Sequence, residues 1–262
     1  MSNISDKTYI AQAGLSDKVR KSRLPARLDL LQSLTGLFLA LFMWGHMFFV
    51  GSIIFGKNAM GGITKFFEGY YFFGKAYPGI VSLIVAIVFG IFVLHALLAV
   101  RKFPINYKQL RTIRAHAKAM NHQDTTLWLW QVYTGFALFF LASAHLCQMF
   151  FWPEKIGPIG SSGRIWSDGM WPYYLLMLIA VELHAGIGLY RLAVKWCWPN
   201  KPREQLKKLK WYVSAFFLGF GVIVLALYMY HGAQNKELYK RGQIHVSQAS
   251  HISVIESPVK GI

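Results

Sequence analysis

Long apolar runs alternate along this chain with shorter polar, mostly basic stretches. Five runs stand out, at about 31–54, 79–100, 127–152, 171–194 and 211–230. Each is roughly 20–26 residues long, enough at about 1.5 Å per residue to cross about 30 Å of hydrocarbon as a helix. Trp128, Trp130, Trp152, Trp171, Trp211 and Tyr230 lie at run ends, where amphipathic rings settle at headgroup level. The pattern predicts an all-α integral membrane protein: residues 1–28 as a tail, 29–232 as a five-helix transmembrane domain and 233–262 as a second tail. Residues 1–28 are polar and lack an apolar h-region, so no cleavable signal peptide is expected.

Composition agrees with the runs. Of the 262 residues, 55% are hydrophobic and only 15% charged, against about a quarter charged in an average soluble domain. Disorder, a disulfide framework and a repeat solenoid are excluded on these grounds. The net charge of +17 would suggest nucleic acid in a soluble protein, but its distribution matters more here. With five crossings, the N-terminal tail and the second and fourth loops share one side and hold 19 of the 28 Lys and Arg. The excess of basic residues inside a membrane therefore predicts a cytoplasmic N-terminus and a periplasmic C-terminus. No nucleic-acid partner is expected. The basic face reads equally as topology with anionic lipid contact or as a docking face for a soluble partner.

Nine histidines are present. His116, His122, His231, His245 and His251 fall in loops or tails and read as solvated or interfacial. His46, His95, His145 and His184 fall one each inside the first four spans, where ionisable residues are costly and mark functional sites. Measured from the inner end, His46 and His145 lie at about 0.7 of the span depth, His95 at about 0.2 and His184 at about 0.4. The four thus sort into an outer pair, His46 with His145, and an inner pair, His95 with His184. Two stacked pairs are what two bis-His haems in a four-helix bundle require. A zinc or di-metal site would want carboxylates or cysteines at the same level, and the spans offer only Glu182 and Cys147 nearby.

An internal repeat points the same way. Gln32-x-x-Thr35-Gly36 precedes His46 by the same spacing as Gln131-x-x-Thr134-Gly135 precedes His145. Leu94-His95-Ala96 and Leu183-His184-Ala185 match in the second and fourth spans. A duplicated two-helix unit, related by a pseudo-twofold axis along the membrane normal, would give each copy one histidine in each pair. Gly36 and Gly135 fall level with the inner pair and are expected to make room there for the inner haem.

Two carboxylates matter. Glu182 lies near a span midplane and about 200° around the helix from His184, facing elsewhere; it reads as a proton carrier or as a structural hydrogen-bonded carboxyl. Glu68 lies in the outer first loop within Lys65-Phe-Phe-Glu68-Gly-Tyr70. Residue type alone favours a solvated loop acid, while its aromatic neighbours suit a quinone-site base.

Several longer motifs carry a family resemblance: Arg101-Lys-Phe-Pro-Ile-Asn-Tyr, Asp124-Thr-Thr-Leu-Trp128, Met149–Gly157 with Ile156-Gly-Pro158, and Val181-Glu-Leu-His184 through Gly188-Leu-Tyr-Arg-Leu-Ala-Val-Lys-Trp196. From about Lys21 to Tyr230 the chain resembles the dihaem cytochrome b subunit of menaquinol:fumarate reductase, the epsilonproteobacterial type within the succinate dehydrogenase/fumarate reductase membrane anchors. The resemblance implies a five-helix anchor in the bacterial inner membrane with two haem b groups, and a flavoprotein and an iron–sulfur subunit docked on its cytoplasmic face. Menaquinol would be oxidised to menaquinone near the outer face, and electrons would pass through both haems to a partner flavin that reduces fumarate in anaerobic respiration. It implies His46 and His145 as ligands of the outer haem iron and His95 and His184 of the inner. Glu68 would serve in quinol oxidation and Glu182 in transmembrane proton transfer. Gln32, Ser33, Trp128 and Lys195 would meet the inner-haem propionates. The loop around Glu68 is only loosely alike. A dimer of complexes is compatible with the resemblance.

Two rival readings share the architecture, a succinate dehydrogenase anchor running in reverse and the b-type anchor of another respiratory dehydrogenase. A haem-free transporter or scaffold is disfavoured by four paired-depth histidines and by spans without Pro-broken helices.

Overall fold

The computed structural model describes residues 22–240; most of both expected tails, with His245 and His251, lies outside the described residues. The chain forms α1 (Leu24–Gly51), a 3₁₀ turn (Ser52–Phe55), α2 (Lys57–Phe67), α3 (Tyr70–Phe73), α4 (Pro78–Val100), α5 (Tyr107–Met120), α6 (Gln123–Phe151), a second 3₁₀ turn (Pro153–Lys155), α7 (Pro158–Trp166), α8 (Trp171–Trp196), α9 (Arg203–Gln234) and α10 (Lys236–Lys240). Five of these elements are long and apolar enough to cross a membrane: α1 with its 3₁₀ turn, α4, α6, α8 and α9.

Local chemistry sets the helix ends. Pro25, Pro78 and Pro172 occupy first-turn positions of α1, α4 and α8, where a fixed φ helps and a missing N–H costs nothing. Asn106 caps α5 by accepting the Gln109 N–H at 2.9 Å. α8 stops at Cys197, which takes the left-handed conformation (φ +50°), a common helix stop. Helices α1, α6 and α9 begin at Leu24, Gln123 and Arg203, several residues before their apolar runs. Hydropathy misses these starts because Arg, Gln, Lys and Leu propagate a helix well and long basic side chains reach back to water. The third span ends at Phe151 rather than Trp152, since the residue before Pro153 is pushed out of the helical region. α9 runs on to Gln234, so His231 belongs to the fifth helix and not to a tail.

Helices α1, α4, α6 and α8 form a ring, each packed on the next and α8 closing on α1. α9 lies outside the ring against α8, α1 and α7. Small residues allow that close approach: a Cβ at Gly186 would strike Ser214, and one at Gly221 would lie 2.5 Å from Leu178 and 2.8 Å from Met47. At the end of the bundle away from the Leu24 terminus, Ile53, Met60, Ile165, Val224 and Tyr228 bury one another. They fasten α2 and α7 over that end. The Leu24 end carries most of the basic residues and is called the basic end below.

Candidate functional site

A continuous cavity of about 1280 Å³ runs between the four ring helices. His46, His95, His145 and His184 all line it. Across it, the rings of His46 and His145 have centroids 6.2 Å apart. Those of His95 and His184 are 6.4 Å apart. The structure thus brings together the pairs that the depth argument separates. His95 and His184 lie nearer the basic end, and His46 and His145 nearer the opposite one. Among the described residues, no group of three or more His, Cys, Asp or Glu could hold a metal ion, so each pair offers two imidazoles and nothing more.

The repeated Gln-x-x-Thr-Gly segment meets the pair nearer the basic end. Thr35 Oγ lies 3.1 Å from His95 Nδ1, and the Gln32 backbone also bonds that ring. In the second copy, His184 Nδ1 lies 3.1 Å from the Gln131 carbonyl and 3.4 Å from Thr134 Oγ. A Cβ at Gly36 would fall 2.9 Å from His95 Cε1, and one at Gly135 would fall 2.9 Å from His184 Cε1. The two glycines face the imidazoles across each helix pair, and each opens space for a histidine ring to lie close to the helix.

The other pair has different surroundings. His46 stacks on Phe42 with centroids 6.1 Å apart. His145 meets Tyr174 edge-on at 5.8 Å, and its Nδ1 is buried without a partner among the described residues. Beside Tyr174 lies Arg164, only 6% exposed. Its guanidinium donates to Tyr174 Oη (2.9 Å), the Lys155 carbonyl (3.2 Å) and Ser161 Oγ (3.3 Å), and Tyr174 donates on to Gln148 Oε1 at 3.2 Å. Arg164 lines the cavity and has no carboxylate among these partners. In the sequence Arg164 falls between the third and fourth apolar runs, and nothing in its neighbours marks it as buried. Thr35 and Thr134 were visible as parts of the repeat, but their contacts were not.

The four residues matched to propionate contacts, Gln32, Ser33, Trp128 and Lys195, all line the basic end of the cavity, with Lys102, Arg191 and Arg203. There Asp29 bridges Lys102 and Lys195. Arg191 donates to Gln131 Oε1 at 2.5 Å, while Gln32 Oε1 is buried without a partner among the described residues.

Neither carboxylate lines the cavity wall. Glu182 is 2% exposed, and both of its carboxylate oxygens lack a hydrogen-bond partner among the described residues. It faces away from the cavity that His184 borders, as its angular offset predicts. Glu68, also 2% exposed, ends α2, one residue beyond the cavity-lining Phe67. It is no solvated loop acid: α2 folds back on the bundle and buries it. Burial pushes its pKa up to about 7, against the pull of the Lys65 ammonium.

The fold defines a multi-pass membrane protein, all-helical over the described residues. The sequence profile described as succinate dehydrogenase/fumarate reductase transmembrane subunit matches residues 107–223. The chain is 50% identical over 230 residues to the fumarate reductase cytochrome b subunit of Wolinella succinogenes, covering 86% of this chain and 90% of that one. It is 50% identical over 225 residues to the protein of the same name from Helicobacter pylori, covering 86% of this chain and 88% of that one. The chain belongs to the succinate dehydrogenase/fumarate reductase transmembrane subunit family.

Proposed function

We propose that this chain is the membrane-anchoring cytochrome b subunit of a quinol:fumarate reductase and binds two haem b groups, one at each histidine pair. The observation that carries the reading is two facing histidine pairs in one cavity. Two metal–imidazole bonds of about 2 Å each, plus the half-widths of two rings, sum to roughly 6 Å, close to both centroid separations. The donor set fits as well: each pair offers two imidazoles, a common haem ligand, and no competing carboxylate or thiolate among the described residues. The cavity exceeds the range of about 300–1,000 Å³ usual for a single ligand.

His46 and His145 would hold the outer haem and His95 and His184 the inner. Gln32, Ser33, Trp128 and Lys195 would meet the inner-haem carboxylates, where three further cations line the wall. Bound haem would supply one-electron transfer between the two levels.

The chain's own residues supply the proton chemistry. Glu68 acts as the base for menaquinol, since a carboxyl with a pKa of about 7 is partly ionised at neutral pH and can accept a hydroxyl proton. Glu182 serves as the transmembrane proton carrier; its burial in the helix layer, without a partner, supports the role. The basic end faces the cytoplasm and docks a flavoprotein and an iron–sulfur subunit, and the complex resides in the bacterial inner membrane. Two relatives named for fumarate reductase favour that direction over succinate oxidation.

A reduced-minus-oxidised optical spectrum of the purified complex tests the reading. Two b-type haems per chain are expected, and a spectrum with no b-type signal overturns it.

A further inference from the structure

The two copies of Gln-x-x-Thr-Gly do the same thing to two different histidines. The hydroxyl proton of Thr35 is already committed within α1, where it is donated to the Leu31 carbonyl at 2.9 Å, with the Gln32 carbonyl at 3.2 Å. That of Thr134 is donated to the Trp130 carbonyl at 2.7 Å, with the Gln131 carbonyl at 3.3 Å. A hydroxyl has one proton and two lone pairs, so each threonine has only acceptor capacity left for the ring nitrogen beside it. Peptide carbonyls can likewise only accept. The hydrogen must therefore sit on Nδ1 of His95 and of His184, and Nε2 is left as a bare lone pair. The glycine one residue after each threonine lets the ring lie close enough to the helix for this contact.

We infer that Thr35 and Thr134 are positioning residues that fix the Nδ1–H tautomer of His95 and His184, direct Nε2 toward the metal, and make both ligands more electron-donating. An N–H that donates to a good acceptor raises the basicity of the other ring nitrogen, and such outer partners tune metal sites. A more donating ligand pair stabilises the oxidised metal and lowers its potential. The repeat is thus a ligand-holding unit used twice, once per histidine of the same pair. The other pair has no counterpart: His145 Nδ1 has no partner among the described residues.

This inference rests on the haem reading above, and one titration separates the two. The midpoint potentials of both haems are measured in the purified complex for the wild type and for Thr35→Val, Thr134→Val, Thr35→Ser and Thr134→Ser. The haem of the His95/His184 pair is identified by the signal that His95→Ala removes. Valine keeps the shape and deletes the hydroxyl acceptor, leaving the Gln32 and Gln131 backbone carbonyls as the remaining ones, while serine keeps the hydroxyl. Each valine variant should shift that haem's midpoint upward and leave the other haem unmoved, and each serine variant should restore it. Loss of that haem in the valine variant but not in the serine variant also supports the assignment. An unmoved or lowered midpoint, or equal effects of valine and serine, overturns it. A wild-type complex without haem instead overturns the reading it rests on.

Discussion

Each imidazole of the pair near the basic end has a threonine oxygen behind it, at 3.1 and 3.4 Å, and a glycine beneath it. The pair at the far end rests on aromatic rings instead: Phe42 under His46, and Tyr174 beside His145. Both pairs draw one residue from each copy of the same two-helix unit, yet only one of them inherits the unit's internal contacts. The difference comes from which neighbour each histidine meets. His95 and His184 sit on the second helix of their copies and pack back onto the first, where the repeated segment lies. His46 and His145 sit on the first helices themselves and meet residues outside the repeated Gln-x-x-Thr-Gly segment: Phe42 on the same helix as His46, and Tyr174 on α8 against His145. A duplicated scaffold therefore supplies one symmetric site and leaves the other to be furnished locally.

The sharpest way to break this contrast is to remove one ligand. His95→Ala should abolish one haem signal and spare the other, and His145→Ala should do the converse. Loss of both signals from either change, read by haem content per chain, would show that the two sites do not stand independently.

Glu68→Gln comes next. Quinol oxidation should fall to near zero, while fumarate reduction from an artificial electron donor persists. The wild-type rate should climb as pH rises through about 7, because Glu68 must be ionised to accept a proton and burial holds its pKa there, above the ordinary 4.5. Because burial penalises the charged form, this group costs no stability below about 4.5 and destabilises the fold increasingly as pH rises through about 7. A rate profile flat across that interval counts against the base role.

Gly36→Leu should push the His95 ring away, since even a Cβ would lie 2.9 Å from its Cε1. The site near the basic end should lose its haem and the far site should keep it, with a destabilisation of about 1–3 kcal/mol from overpacking. Unchanged haem content would remove the glycine from the contrast. The smallest effect is expected from Asp29→Asn. Its ion pairs to Lys102 and Lys195 are half-exposed, and such pairs contribute about 1 kcal/mol or less. Thermal unfolding of the complex in low and moderate salt reads it; a loss of several kcal/mol would mean that the cation cluster organises the cavity mouth.

The sequence made the spans and the histidine pairing legible because both depend on one coordinate, the rise along a helix. Depth along that axis sorts the four histidines into the same two pairs whose rings face each other across the cavity. What stayed hidden depends on how short segments fold across the ends. Glu68 and Arg164 both lie in connections, where composition predicts water, and both are buried because α2 and α7 pack onto the bundle. Gly36 was placed at the right level, but the partner filling its groove could not be read from depth alone. Lys195 was matched at the basic end of the cavity, yet its partnership with Asp29 needed the approach of two helix ends far apart in sequence.

The seat of α7 has one more consequence. The Tyr239 ring, on α10, covers Gly163, and its hydroxyl donates to Asp168 Oδ2 at 2.8 Å. A Cβ at Gly232 would strike the Ser162 carbonyl. The segment that holds Arg164 against the cavity is therefore itself pinned from behind by residues 232 and 239. All four cavity histidines precede residue 185. A chain made from its N-terminus thus has every imidazole in hand some fifty residues before it has the latch, so in order of synthesis the chamber is furnished first and closed last.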